Sequence, residues 1–311
     1  MAPPASPSDA SRPEYTTPEG FEVRRLAGAL GAEVRGLRLG GLDGEGAAAI
    51  ERILLDHHVL FFPEQSPTVE EHVAFGRHYG ELEGHPHLRN PTEGLPPEIF
   101  ELSAQHGGVA DEWHSDLTCL ERPARYSILH MVRAASVGGD TMWANPAMAY
   151  DELSPPIRDL CDGLTAIHDG EPHGLDDLKT VHPVVRVHPE TGRRVLFVNE
   201  HFTRRIVELS RDESTLLLGY LTRWIANPRF TVRYRWQSGT VALWDNRTTQ
   251  HFVLNDFAEE RVIQRVTVMG DRITAAVPPR WPAYRRVGGP SDTSRHEAEV
   301  AALGRDRDRP A

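Results

Sequence analysis

Short strand-like runs separated by turn residues dominate this chain of 311 residues. The runs are apolar or alternate between apolar and polar residues, and turns such as Gly138-Gly139 and Ser238-Gly239 divide them. Many short strands with this punctuation indicate a β-sandwich or β-barrel. The predicted strands cover residues 21–26, 33–37, 58–62, 98–102, 125–132, 164–168, 183–187, 194–198, 230–236, 240–244 and 261–269.

A few helices are inserted between these strands. Ser154 precedes a proline at the first helical position, and Ser210 precedes a stretch with an apolar stripe that Asn227-Pro228 ends. Both patterns are typical of helix starts and stops. The predicted helices cover residues 47–55, 67–79, 155–162 and 211–226, and the fold class is therefore mainly β with inserted helices.

Composition changes only at the two ends of the chain. Residues 1–20 are rich in Pro, Ser and Ala and are predicted to be disordered, while residues 286–311 form a polar, charged tail. The interior contains neither a repeat nor a linker. We therefore expect a single domain over residues 21–285.

Charge and cysteine content limit the function classes. The chain has 34 Lys and Arg against 45 Asp and Glu, a formal charge of −11, which argues against binding nucleic acid polymers or anionic membranes. Any anionic substrate would have to be held by local Arg or His. No run reaches the roughly 18 apolar residues of a membrane span, the first residues lack a signal-peptide pattern, and the two cysteines, Cys119 and Cys161, do not form a disulfide framework. We expect a cytoplasmic protein.

A His-x-Asp motif stands out among the polar residues. His114 and Asp116 are separated by one residue, and His251 lies far downstream. Two imidazoles and a carboxylate on one face of a metal leave positions open, as non-haem Fe(II) requires. On a strand, residues 114 and 116 would share a face and Ser115 would point away. The alternative is a chance motif, with histidines at the surface or satisfied in the core.

Two arginines mark the last predicted strand. Arg261, Ile263 and Arg265 would share one face, with the Cα atoms of the arginines roughly 13 Å apart. One strand face could therefore hold two anions in one cavity, since the guanidinium group matches paired oxygens. The alternative is an exposed edge on which the arginines pair with Glu259 or Glu260.

Three further stretches carry candidate polar groups. Thr141 enters a strand after Gly138-Gly139 and could donate its hydroxyl to a carboxylate, although a Thr there also fits ordinary strand propensity. His85 occupies a loop and could contact an anion or lie at the surface. The stretch 244–247, Trp-Asp-Asn-Arg, is expected to pack and hydrogen-bond near the approach to His251.

In combination and in order, these motifs resemble the taurine/2-oxoglutarate dioxygenase (TauD/TfdA) family. The resemblance spans residues 20–272 and includes the stretches 114–116, 138–143, 182–186, 196–200 and 244–251, followed by Arg261 and Arg265. It implies a double-stranded β-helix, the jelly-roll or cupin-like fold, with Fe(II) bound at its mouth. It implies O₂ and 2-oxoglutarate as co-substrates.

The resemblance also assigns roles to residues. It implies His114, Asp116 and His251 as the metal ligands and catalytic centre, and Thr141 with Arg261 as the site of the distal carboxylate of 2-oxoglutarate. It assigns the remaining candidates, His85, Arg265, Leu117 and Phe202, to the prime substrate. An oxyanion of that substrate would lie between His85 and Arg265.

The chain departs from the taurine-specific pattern at the substrate end of the pocket. Leu88, Ala110 and Cys119 stand where polar or aromatic side chains are expected, and the segment 168–182 is shorter than the lid of taurine-specific members. Both departures predict a wider, more open pocket. We expect poor activity on taurine and better activity on a larger anion.

The expected reaction is hydroxylation of a carbon next to an anionic group, with release of succinate and CO₂. The anionic group would be a sulfonate, a sulfate ester or a phosphate ester such as a nucleotide. Two alternatives stay open, a hydroxylase of carboxylate or amino-acid substrates in a biosynthetic pathway and a non-catalytic jelly-roll sensor. The expected partners are a small anionic molecule and further copies of the chain in a homo-oligomer.

Overall fold

The computed structural model describes residues 14–84, 94–103 and 110–285. These residues cluster into two compact units. The first unit comprises the described residues up to Glu112, with Ala124–Asn145 and Pro228–Gly270, and the second comprises Trp113–Pro123, Pro146–Asn227 and the described residues from Asp271. The prediction of one domain over residues 21–285 stays a prediction. Residues 1–13 and 286–311 lie outside the described residues.

Strands outnumber helices in both units. In chain order the strands are β1 Glu14–Thr16, β2 Glu22–Arg25, β3 Ala32–Arg35, β4 Val59–Phe62, β5 Phe100–Ser103, β6 Ala124–Arg133, β7 Thr141–Ala144, β8 Thr165–Gly170, β9 Leu175–Pro183, β10 Val185–Val187, β11 Arg194–Leu196, β12 Thr203–Ile206, β13 Thr231–Tyr234, β14 Val241–Asp245, β15 Gln250–Val253 and β16 Val262–Met269. The α-helices are α1 Gly44–His57, α2 Val69–Arg77, α3 Pro146–Asp151, α4 Pro155–Asp162 and α5 Arg211–Ile225.

Two sheets build the first unit. The larger has eight strands in the order β1-β2-β3-β4-β14-β6-β16-β5, and the smaller has the order β13-β7-β15. All neighbouring strands are antiparallel except β3 and β4. Antiparallel pairing across two sheets is the pattern expected of a sandwich.

Alternation along β4 shows how the larger sheet is buried on both faces. Leu60 and Phe62 pack in one apolar cluster with residues of α1, whereas Val59 and Phe61 pack in another with β7 and β13. In the second cluster the Phe61 ring stacks on Tyr234 with centroids 3.8 Å apart and meets Trp143 edge-on at 5.1 Å. Successive side chains of a strand point to opposite faces, so an all-apolar strand has to be covered on both.

The second unit contains two smaller sheets and three helices. Its sheets have the orders β12-β8-β9 and β10-β11. Helix α5 begins with a capping box, in which the Ser210 side chain accepts from the Glu213 backbone N–H and the Glu213 side chain accepts from that of Ser210. This reciprocal pair satisfies backbone donors that the helix itself cannot.

The prediction of a mainly β fold with inserted helices is confirmed, but β9, β12, β15 and α3 were not predicted, and several other elements differ at their ends. Helix α4 has the predicted bounds, but α2 begins at Val69 with Thr68 as its N-cap, because Thr68 and Glu71 form a capping box there. Strand β1 was not predicted; it lies inside the segment expected to be disordered and pairs with β2. Within the described residues, no helix is long and apolar enough to cross a membrane.

Candidate active site

A cavity in the first unit brings together several residues singled out from the sequence. Arginine, threonine and histidine side chains enter it among aromatic and aliphatic walls. Its lining residues are Phe100, Leu102, Ala110, Leu129, Thr141, Trp143, Trp244, His251, Val253, Phe257, Arg261, Ile263 and Arg265. A mostly apolar pocket with a few convergent polar groups is typical of small-molecule sites.

Arg261 is the least satisfied charged residue of this cavity. Its side chain is only 6% exposed, and within the described ranges neither Nε nor Nη2 has a hydrogen-bond partner. Burial lowers the pKa of Arg261 to about 10, so the guanidinium remains protonated near neutral pH. It lies 5.9 Å from the centroid of the Phe257 ring. A buried cation with unused donors on a cavity wall favours an anion as its ligand.

The turn before β7 makes room for Arg261. Gly138 and Gly139 both have positive φ, and a Cβ on Gly138 would lie 2.4 Å from the Asp256 carbonyl oxygen. A Cβ on Gly139 would lie 3.2 Å from Cδ of Arg261. Glycine is required where the backbone approaches another chain segment this closely.

Thr141 presents a hydrogen-bond donor to the cavity. The indole Nε1–H of Trp236 donates to Thr141 Oγ1 at 2.9 Å. Indole nitrogen can only donate, so the threonine oxygen is the acceptor of this bond and its own hydrogen is left for another group. The threonine hydroxyl can therefore still donate its hydrogen to a ligand in the cavity.

The predicted face of the last strand is confirmed. Arg261 directly precedes β16, and Arg261, Ile263 and Arg265 all line the cavity. Gln264 points elsewhere and donates to Glu101 at 2.9 Å. The Arg265 guanidinium lies 5.6 Å from the Phe100 ring centroid. One cavity thus contains two guanidinium groups, and the alternative of an exposed edge is excluded.

The His-x-Asp motif lies in a turn of the second unit, so the strand geometry considered for residues 114–116 does not apply. His114 makes an isolated bridge, Asp116 begins a turn, and Leu117 has a φ of +58°. His114 Nε2 and Asp116 Oδ1 are 3.9 Å apart. Ser115, expected to point away, is buried as well. The turn brings both side chains together without strand geometry.

Backbone contacts fix the start of this turn. The Glu200 N–H donates to the Trp113 carbonyl at 3.1 Å, and the Trp113 N–H donates to Glu200 Oε2 at 3.3 Å. The backbone N–H and carbonyl of Trp113, the residue before the candidate metal ligand His114, are therefore both hydrogen-bonded.

A buried polar network holds the end of the turn. Asn199 Nδ2 donates to Thr118 Oγ1 at 3.2 Å, and His168 Nδ1 lies 3.0 Å from the same oxygen. Asn199 also accepts from the Phe202 N–H through Oδ1, and its own N–H donates to Thr203 Oγ1. Burial lowers the pKa of His168 far below its ordinary value, which keeps it neutral. A fully bonded buried network of this kind rigidifies the segment it holds.

His251 lies on β15 in the first unit. The Trp244 ring packs against it with centroids 4.9 Å apart. Next to Trp244, Asp245 and Arg247 form a buried bidentate pair, and Trp244 Nε1 donates to Asn246 Oδ1. The expectation that this stretch packs and hydrogen-bonds near His251 is thus met by the contacts around Trp244.

His114, Asp116 and His251 form a group suited to a metal ion. Within the described residues, one ligand atom of each lies within 4.8 Å of the others, and all three residues are buried. Ligands of one ion with bonds of about 2.1 Å lie about 3 Å apart in adjacent positions, so modest side-chain rotations would suffice. Two imidazoles and a carboxylate are the donor set of non-haem Fe(II) sites.

The residues assigned to the prime substrate have different outcomes. Arg265 and Ala110 line the cavity. In the second unit, Leu117 is half-buried in the turn that contains His114 and Asp116. Phe202 is buried, and its ring centroid lies 6.4 Å from that of His114. His85, like Leu88, lies outside the described residues, so its role stays a prediction.

The short segment between His168 and His182 is a β-hairpin. Strands β8 and β9 pair antiparallel, and a 3-10 turn, Glu171–His173, connects them. Its His173 side chain lies 3.2 Å from His201 through the two Nε2 atoms, and the His201 ring lies 5.4 Å from that of His114. The segment between His168 and His182 is therefore regular secondary structure close to the candidate metal ligand His114.

Sequence reasoning missed the apolar and orienting residues of the cavity. Trp236 was placed in a predicted strand without a role, and Phe100 and Phe257 were not singled out. Trp236 follows β13, which pairs with the strand of Thr141. That pairing joins residues 95 positions apart, and the sequence contains no signal for it.

Comparison with known proteins adds family information. Residues 22–267 match the model of the family "Taurine catabolism dioxygenase TauD, TfdA family". The chain is 37% identical to an alkylsulfatase of Acinetobacter baylyi, covering 82% of this chain and 87% of the relative. It is also 37% identical to an alpha-ketoglutarate-dependent sulfate ester dioxygenase of Pseudomonas putida, over 82% of this chain and 92% of the relative.

A solved structure supports the same conclusion on the fold. The crystal structure of a taurine dioxygenase from Burkholderia xenovorans superimposes with a TM-score of 0.74 at 40% identity, covering 82% of this chain and 93% of that chain. This structural similarity confirms the expected jelly-roll fold.

Proposed function

The chain belongs to the TauD/TfdA family and is a 2-oxoglutarate-dependent dioxygenase, and on that premise we propose that it hydroxylates a carbon next to a sulfate ester or sulfonate group. The relatives that share 37% identity carry alkylsulfatase and sulfate ester dioxygenase names, which favours a sulfate ester over taurine. Hydroxylation of the carbon bound to the ester oxygen gives an unstable product that expels sulfate and leaves an aldehyde.

We propose that His114, Asp116 and His251 bind Fe(II). The donor set and the 4.8 Å spread of the ligand atoms support this assignment. When bound, iron supplies the activation of O₂, with 2-oxoglutarate as the two-electron reductant that ends as succinate and CO₂. The protein's part is to bind, orient and shield the reactants.

The observation that carries the proposal is the buried, incompletely bonded Arg261. Its free Nε–H and Nη2–H donors suit the two oxygens of the distal carboxylate of 2-oxoglutarate, and Thr141 would donate to the same carboxylate. Apolar walls around them exclude water and so strengthen these bonds.

We assign Arg265 to the anionic group of the prime substrate. It lines the same cavity on the same strand face as Arg261, so the two anions are held by separate guanidinium groups. The small side chain of Ala110 leaves space on the lining, which supports a substrate larger than taurine. His85 is proposed as its second contact. We also propose a cytoplasmic homo-oligomer.

The test is succinate release from 2-oxoglutarate with Fe(II), across alkyl sulfate esters, sulfonates including taurine, phosphate esters and amino acids. We expect an alkyl sulfate ester to be turned over fastest and to release sulfate. Arg265→Ala should raise the KM for that substrate at least about tenfold, because charged hydrogen bonds contribute about 1.5–3 kcal/mol each. The same variant should leave the KM for 2-oxoglutarate nearly unchanged. Faster turnover of taurine or of an amino acid would contradict the substrate assignment.

A further inference from the structure

Two histidines of the second unit, outside the candidate iron site, direct the same ring nitrogen at each other. His173 Nε2 and His201 Nε2 are 3.2 Å apart. Two ligands of one ion with bonds of about 2.05 Å lie about 2.9 Å apart in adjacent octahedral positions and about 3.4 Å apart in a tetrahedron. The observed separation lies between these two values, so one ion could accept both nitrogens after only small side-chain rotations.

Strand pairing places the two histidines on neighbouring turns. His173 ends the 3-10 turn that follows β8, and His201 lies in the turn that leads into β12. Strands β8 and β12 pair antiparallel, and the Asp169 N–H donates to the Phe202 carbonyl at 3.0 Å. The two turns are therefore held side by side by backbone hydrogen bonds, and the distance between the imidazoles does not depend on a flexible loop.

The ring of Phe202 supports both imidazoles. It is buried, and its centroid lies 4.6 Å from that of His201, with the two planes at a right angle. The His173 ring lies 5.4 Å from the same phenyl ring and is tilted by 31° to it. His173 is exposed and His201 is half-buried, so an ion can reach the pair from solvent. Ligands that rest on a packed side chain are preorganised for binding.

We propose that His173 and His201 bind a second divalent transition-metal ion, Zn(II) by preference, beside the candidate iron site. Imidazole nitrogen suits Zn(II), and the formal charge of −11 attracts cations. Water completes the coordination, because within the described ranges only His114, Asp116 and His251 form a group of three suitable ligands. The ion is therefore exchangeable, and it joins the β8–β9 hairpin to the turn before β12. This inference does not rest on the proposed function.

Equilibrium dialysis of the full chain against ~1–50 μM free Zn(II) counts the bound ions. We expect His173→Gln and His201→Gln each to bind one ion fewer per chain than the wild type, with unchanged circular dichroism, and the double variant to lose no further ion. His78→Gln is the matched control and should bind as many ions as the wild type, because exposed His78 contacts the Leu42 carbonyl oxygen at 3.0 Å instead of a second imidazole.

Anomalous scattering from crystals soaked in Zn(II) locates the ion. We expect a peak about 2.1 Å from both Nε2 atoms. An unchanged number of ions in His173→Gln or His201→Gln, or a peak bonded to only one of the two rings, would overturn the proposal and leave a hydrogen bond between the imidazoles as the reason for their separation. Because the readout is a difference of one ion, it is the same in an Asp116→Ala background, where the candidate iron site is impaired. Loss of one further ion there on His173→Gln would support the pair as a separate site.

Discussion

Replacing Arg261 with Met should stabilise the ligand-free protein and abolish its response to 2-oxoglutarate. Burial lowers the pKa of Arg261 from 12.5 to about 10. A difference of about 2.5, at about 1.36 kcal/mol per pKa unit, corresponds to roughly 3 kcal/mol of unfavourable free energy in the protonated folded state. Met fills a similar volume without charge but loses the contact with Phe257, worth about 1 kcal/mol. The net gain in unfolding free energy is about 2 kcal/mol.

Thermal unfolding near pH 7, with and without 2-oxoglutarate and Mn(II), measures both effects. For a chain of this length, about 2 kcal/mol raises Tm by about 3 °C. With Mn(II) present throughout, 2-oxoglutarate at 100 times its wild-type Kd should add about 2.7 kcal/mol to the wild type and little to the variant. Arg233→Met is the control, since its half-exposed guanidinium already pairs with Asp140 at 2.6 Å. It should cost at most about 1 kcal/mol and retain the ligand response. A ligand-free Arg261→Met protein several degrees less stable than the wild type would refute the reasoning.

Further outcomes follow from the same contacts. Asp116→Ala should lower the affinity of the apoprotein for Mn(II), followed by electron paramagnetic resonance, by at least about tenfold; an unchanged affinity would remove Asp116 from the ligand set. Trp236→Phe loses the hydrogen bond to Thr141 and should raise the KM for 2-oxoglutarate about 2- to 10-fold with a smaller change in kcat. Equal changes in KM and kcat would argue against a role of Trp236 in orienting Thr141. Burial lowers the pKa of His57 and His182 to about 4 and that of His72 to about 3, whereas the unfolded chain takes up these protons below about pH 6.5. Stability should therefore fall as the pH drops from 6.5 towards 4, by about 2 kcal/mol per histidine at pH 5, measured by urea unfolding; a flat profile would show that these histidines take up protons in the folded protein as readily as in the unfolded chain.

Local signals in the sequence were sufficient for several elements. The proline after Ser154 marks the start of α4, where the serine side chain makes no capping hydrogen bond, and the capping box of Ser210 and Glu213 marks that of α5. Alternation along residues 261–265 predicted that Arg261 and Arg265 share a cavity. In each case the determining residues lie within a few positions of one another.

Long-range contacts explain what the sequence could not predict. The His114–Asp116 turn is held by bonds from Thr118 to His168 and Asn199, residues 50 and 81 positions away. Strand β9 contains a polar stretch without clear alternation and is a strand because it pairs with β8. The role of Trp236 depends on pairing between β13 and β7. None of these pairings leaves a pattern in one segment of the chain.

The bond between Trp236 and Thr141 has a consequence for which molecules the cavity can distinguish. Because Trp236 occupies one acceptor position of the threonine oxygen, the Thr141 hydroxyl keeps its own hydrogen to donate, beside the Nε–H and Nη2–H donors of Arg261. We expect a carboxylate, which only accepts and carries a negative charge, to match these donors. The amide analogue of 2-oxoglutarate is neutral and brings N–H groups of its own, so we expect it to bind more weakly although it differs little in size. Charge and the direction of hydrogen bonding would together distinguish an acid from its amide in this cavity.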